Sequence, residues 1–213
     1  MKTLTQQIYN ELFERYPSLS EQKANILSAF DILYNSYKNG GKTLCCGNGG
    51  SASDSEHIVG ELLKSFKMKR PICPLIASKL SAYGDESAML VNNLEGALPA
   101  ISLVSQTSII SAFANDRAWE NAFAQQVYGL GNSGDCLISL STSGNSKNCV
   151  NATYIAKAKD MKTIAFTGAK GGMLKDLCDV TIAVPETETF KIQELHLPVY
   201  HCLCAMLESE FFA

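Results

Sequence analysis

Charge is scarce in this chain: 18% of its 213 residues are Asp, Glu, Lys or Arg, against roughly 25% in an average soluble domain. Eighteen basic residues face twenty-one acidic ones, a formal net charge of −3, so no global basic field exists to hold a nucleic-acid backbone or an anionic membrane. No stretch approaches the roughly 18 consecutive apolar residues of a membrane span. The amino terminus, Met1-Lys2-Thr3-Leu4-Thr5-Gln6-Gln7, lacks the apolar segment of a secretory signal. Internal repeats and low-complexity tracts are missing too. The eight cysteines are scattered among apolar runs, and neither Cys45-Cys46 nor Cys202-x-Cys204 has the spacing of a zinc knuckle or a redox pair. Buried thiols in a reducing compartment follow, and the expectation is a cytoplasmic protein. The 46% hydrophobic content excludes a disordered chain. With so little charge to cover the outside, part of the surface is expected to lie against sister subunits.

What is present reads as α/β. Leu4, Ile8, Leu12 and Phe13 have helical spacing over residues 3–16, and Ser18-x-x-Glu21 has the form of a capping box opening a second helix to about Tyr37. Asn39-Gly40-Gly41 stops it. Short apolar runs then alternate with helical segments: Thr43–Cys46, Ala100–Val104, Cys136–Ser139, Thr163–Phe166 and Val180–Val184. Five such strands predict a parallel sheet covered on both faces, with helices near 51–64, 106–130 (broken near Asn115), 146–159, 171–177 and 190–211. Residues 72–97 are too long for an ordinary connection and too apolar for a linker. They are expected to be an ordered insertion with helix around Asp85–Leu94, and the whole chain 1–213 a single domain with 1–40 as amino-terminal helices.

The chemistry gathers at strand ends. The first strand runs into Gly47-Asn48-Gly49-Gly50-Ser51 and then a helix, which supplies free N–H groups and a positive dipole end for an anion. It is neither a Walker loop nor a full dinucleotide fingerprint. The third strand ends in Ser141-Thr142-Ser143-Gly144-Asn145-Ser146, four hydroxyls in six residues before a helix. Capping needs one hydroxyl and leaves three for phosphate oxygens. Both turns lie where open α/β sheets bind ligands. His57 and Glu61 share a helix face at i, i+4, so both can reach one metal or one substrate. Gln193 and His201 lie about 12 Å apart along an ideal helix, but Pro198 between them is expected to bend or restart the helix and let them converge. His196 reads equally as a structural or a functional residue.

Together, Cys46-Gly47-Asn48-Gly49-Gly50-Ser51 with His57 and Glu61, the Ser141–Ser146 turn, and Ile192-Gln193-Glu194-x-His196 with His201 resemble the sugar isomerase (SIS) domain family and, within it, the phosphoheptose isomerases. The resemblance implies an SIS-type three-layer fold with a five-stranded parallel sheet, and a homotetramer with sites shared between subunits, Gln193 and His201 from one and His57 and Glu61 from its neighbour. It also implies interconversion of sedoheptulose 7-phosphate and D-glycero-D-manno-heptose 7-phosphate through an enediol. It casts Glu61 and His201 as the acid/base pair, and His57, Glu61, Gln193 and His201 as ligands of a zinc ion. Substrate contacts fall to Asn48, Gly49, Gly50, Ser51, Glu61, Asn115, Asp116, Ser141, Thr142, Ser143, Ser146 and Gln193.

Two positions depart from that pattern. Ser65 stands where relatives often carry arginine, with Lys64 and Lys67 nearby, and Phe190 stands where they often carry aspartate. A second class also fits part of the chain: Ala112–Gly131 resembles an SIS protein that binds the bacterial replication initiator without catalysis. That protein lacks the counterparts of Glu61 and His201, and a binding module has no need of them.

Overall fold

The central strands are buried almost throughout, and alternate side chains along them join two separate cores, which sorts the molecule into layers. The computed structural model describes residues 1–213. Its strands are β1 (Thr43–Gly47), β2 (Ala100–Ser102), β3 (Cys136–Leu140), β4 (Lys162–Thr167) and β5 (Val180–Ala183), all parallel, in the order β2-β1-β3-β4-β5. Cys45, Ile138, Leu140, Ile164 and Phe166 face one side. Leu44, Cys46, Leu137 and Ala165 face the other, the period of two that the pleat imposes.

On the first side lie α1 (Thr3–Arg15), α2 (Lys23–Lys38), α3 (Gly50–Leu63) and α10 (Thr189–Phe212). On the second lie α7 (Ala122–Leu130), α8 (Lys147–Ala158) and α9 (Gly172–Leu177). The expected three-layer α/β architecture is therefore present. Between α3 and β2 the insertion holds α4 (Pro74–Ser81) and α5 (Asp85–Asn93), and α6 (Thr107–Asp116) precedes α7. The break expected near Asn115 is a 3₁₀ turn over Trp119–Asn121. Six of the eight cysteines are buried and all are free thiols, and burial pushes Cys202 up to about 12, so it stays an unreactive thiol at neutral pH.

Four local expectations need correction. Ser18 and Glu21 form no capping box: Pro17–Gln22 is a 3₁₀ helix, no side chain caps α2, and α2 starts at Lys23. Pro17 opens the tight turn with its fixed φ, and the fully buried Leu19 draws it inward. β2 stops at Ser102, short of Val104, because the Ser102 hydroxyl takes the Val104 N–H (3.3 Å) in a turn. α4 was hidden by the turn-like Cys73-Pro74, where proline occupies the first helical position. Finally, α10 passes through Pro198 without restarting. Its neighbours bury Ile192 and His196 before the proline and Val199, Tyr200 and Leu203 after it, and that packing holds the helix together.

The carboxyl end of α3 is tied down by one buried ion pair. Glu208 Oε1 accepts from Arg70 Nε (2.7 Å) and from the Phe66 N–H (2.8 Å), and Oε2 accepts from the Lys67 N–H (2.8 Å). The Arg70 guanidinium also donates to the carbonyls of Leu62 (2.8 Å) and Glu61 (2.9 Å), which a helix end leaves without intrahelical partners. Both side chains are fully buried.

Removing either partner leaves a buried charge unpaired, so Arg70→Ala and Glu208→Ala should each cost about 3–5 kcal/mol. The double variant should lose clearly less than the sum in a denaturant double-mutant cycle. Additive losses would show that the two groups do not act as a pair.

His196 supplies a pH signature. It is fully buried, donates Nε2–H to the Thr167 carbonyl (3.2 Å), and keeps Nδ1 without a partner. Burial lowers it from 6.5 to about 4, against the opposing effect of the Thr167 bond. Because the folded value lies below the unfolded one, its contribution is full above pH 6.5 and is lost as pH falls towards about 4, at up to roughly 1.4 kcal/mol per pH unit. Urea unfolding across that window should show a steeper loss for the wild type than for His196→Gln; equal slopes would clear His196 of the role.

Candidate active site

β1 and β3 are neighbours, with Gly47 opposite Leu140, so the turns that follow them emerge side by side. Asn48 and Asn148 bind the turns together through two reciprocal amide bonds of 2.9 and 2.8 Å. In the second turn Ser141 and Ser146 share a hydroxyl bond of 2.9 Å, and Ser143 Oγ accepts the Asn145 N–H at 3.2 Å. Gly144 has φ +69° and lies against the Gly171 carbonyl, where a Cβ would come to 1.8 Å, so only glycine fits. Neither α3 nor α8 has a side-chain cap. Ser146 sits at the cap position of α8 but bonds Ser141 instead, which leaves first-turn amides for an anion. Ser51 is buried beneath the first turn, Thr142 is half-buried, and Ser143 is exposed.

α3 and α10 run alongside in the same sense, with matching contacts seven residues apart. At the start, the Gln193 amide packs on Gly50, where a Cβ would meet Nε2 and Oε1 at 2.6 and 2.7 Å. Further along, His57 meets Tyr200 and His201. His57 Nε2 lies 3.2 Å from Glu61 Oε1 and 3.4 Å from His201 Nε2, and one ligand atom from each of the three residues falls within 4.8 Å of the others. The remaining oxygen, Glu61 Oε2, is 3.3 Å from Lys64 Nζ. Burial lowers the His201 pKa first, His57 adds to that, and Glu61 opposes it. A groove of about 450 Å³ between α1, α10 and Phe66 opens beside His201.

Three of the four expected ligands therefore meet, and they do so within one chain. That corrects the expectation that His201 and the His57–Glu61 pair come from different subunits. Gln193 stays at Gly50, about 12 Å back from His201 along the helix, because α10 does not restart at Pro198. Two imidazoles and a carboxylate turned on one point are a donor set that suits zinc, with room left for a further oxygen ligand. Asn115 and Asp116 are exposed and bonded to each other (2.9 Å), not to either turn. His196 is a buried packing residue with Phe166 beside its ring.

Sequence reasoning missed Asp54 and Tyr200. The Tyr200 hydroxyl lies 3.0 Å from His57 Nδ1 and 3.2 Å from Asp54 Oδ1. Burial and then the Asp54 charge push the Tyr200 pKa up, and burial raises Asp54. The signal was available: Asp54 precedes His57 by three residues, one turn earlier on the same helix face. At the departures, Ser65 gives its N–H and hydroxyl to Glu95 of the insertion (2.7 and 2.6 Å), and Phe190 is exposed.

The SIS domain family matches residues 9–102 and 87–168 of this chain. The chain is 42% identical to phosphoheptose isomerase 2 of Campylobacter jejuni subsp. jejuni serotype O:2 over 83% of its length and 75% of that protein. It is 37% identical to the phosphoheptose isomerase of a Nitratiruptor species over 98% and 100%. Among solved structures, a phosphoheptose isomerase from Francisella tularensis superposes with a TM-score of 0.74 at 32% identity, covering 98% of this chain and all of that one. The sheet order, the paired turns and these relatives agree: the chain belongs to the SIS domain family, among its phosphoheptose isomerases.

Proposed function

We propose that this protein isomerises sedoheptulose 7-phosphate to D-glycero-D-manno-heptose 7-phosphate, with the whole chain 1–213 acting as one SIS domain. The observation that carries the reading is the meeting of Glu61 and His201 in one cluster, with Glu61 on a helix that begins at an anion-ready turn. The phosphate binds the Ser141–Ser146 turn and the first turn of α3, through Ser51, Ser141, Thr142, Ser143, Ser146 and backbone amides. Glu61 takes the proton from C1 of the ketose while His201 protonates the C2 oxygen, giving the enediol. Return of the proton to C2 and loss of the O1 proton complete the aldose. Asn48 shapes the pocket through Asn148, and Gln193 closes over Gly50 at the phosphate end.

His57, Glu61 and His201 hold a zinc ion in this reading, which when bound stabilises negative charge on the sugar oxygens. The family resemblance and the exposed apolar side chains Leu75, Ile76, Met89 and Leu90 of the insertion support a homotetramer. Free thiols without disulfides support a cytoplasmic setting. A purely regulatory role leaves the Glu61–His201 pairing without a purpose.

Proton NMR with sedoheptulose 7-phosphate, fructose 6-phosphate and arabinose 5-phosphate in deuterated water tests the reaction and ranks substrates. Deuterium should enter beside the carbonyl of the heptulose first. Glu61→Gln should cut turnover by about 10²–10⁴-fold and leave phosphosugar binding within a few-fold; near-normal turnover would remove Glu61 from the role.

The metal has its own test. Elemental analysis should find zinc in stoichiometric amount, and chelation should lower activity until zinc is restored. Metal-free protein that is fully active and indifferent to chelator would reduce the trio to an acid/base site.

A further inference from the structure

Two consecutive residues of α10 grip the two nitrogens of one imidazole. Tyr200 faces His57 Nδ1 and His201 faces His57 Nε2, with ring planes at 72° and 85° to that of His57. Tyr200 is 1% exposed, so its hydroxyl has no bulk water to turn to. A phenol is protonated at neutral pH and carries one proton. Asp54 Oδ1, at 3.2 Å, is an acceptor when ionised, and its other oxygen is buried with no partner. The phenol proton therefore goes to Asp54. The lone pairs left on the hydroxyl can only accept, and the atom facing them at 3.0 Å is His57 Nδ1, which must then carry hydrogen.

We propose that Tyr200, oriented by Asp54, locks His57 in the tautomer protonated on Nδ1 and so keeps the Nε2 lone pair free for a cation at the His57–Glu61–His201 cluster. Asp54 and Tyr200 are positioning residues: they touch neither substrate nor metal. The arrangement follows the general design in which a ligating histidine is oriented through its second nitrogen. The consequence for zinc rests on the metal-assisted reading above; the tautomer itself does not.

The test uses the metal-free full-length protein, labelled with ¹⁵N in its three histidines. Long-range ¹H–¹⁵N correlation near pH 8, where an ordinary imidazole is neutral, reads which nitrogen carries the proton. His57 of the wild type should show hydrogen on Nδ1. In Tyr200→Phe the proton should move wholly or partly to Nε2, and zinc affinity, by competition with a chromophoric chelator, should fall about 10–100-fold. Asp54→Asn keeps an oxygen that accepts from Tyr200 and should retain the Nδ1–H pattern. A wild-type spectrum with the proton on Nε2 overturns the proposal, and that arm decides even if Tyr200→Phe fails to fold. An unchanged tautomer and zinc affinity in a folded Tyr200→Phe overturns it too. A wild type that shows Nδ1–H yet binds no zinc upholds the lock and refutes the metal reading alone.

Discussion

The Arg70–Glu208 pair is the constraint on which the site depends. It joins the carboxyl end of α3 to the last turns of α10 and also pins the intervening loop by its backbone. Glu61 contributes both its side chain to the trio and its carbonyl to Arg70, so a slip of α3 along α10 would strain both at once. A buried ion pair gains little net stability over apolar packing. Its use here is geometric: the two charges have one satisfied arrangement, and that arrangement sets His57 and Glu61 opposite His201.

The strands and the two turns were legible because their signals are local. Thr43–Cys46 followed by glycines, and Cys136–Ser139 followed by hydroxyls, carry both the strand and its function in adjacent residues. The trio was legible in identity through the i, i+4 spacing of His57 and Glu61 and the motif around Gln193. Its geometry was not. Whether Pro198 breaks a helix depends on what packs on either side, and Ile192 and His196 before it, like Val199, Tyr200 and Leu203 after it, are buried by elements far away in sequence. The same limit hid Arg70, whose partner lies 138 residues on, and Tyr200, whose value to His57 exists only once α3 and α10 are side by side.

The insertion is joined to the site region through short contacts. Glu95 holds the residue just past α3 through Ser65, and the Gly96 N–H binds the Arg70 carbonyl at 2.7 Å. Serine at position 65 is thus spent on anchoring the insertion, and the exposed amine of Lys64, beside Glu61 Oε2, is the cation left at that end of the site.

The matching contacts of α3 and α10 make the site a ruler. Its two marks are the Gln193–Gly50 contact and the His57–Tyr200–His201 contact, separated by two turns of rigid helix, about 10 Å. Nothing between them is a loop that could shorten the scale. With phosphate at the first mark, as the proposed reaction has it, the sugar carbon presented at the second would be set by counting bonds along the chain. In the proposed reaction, discrimination between sugars of different length would then come from the rise of a helix.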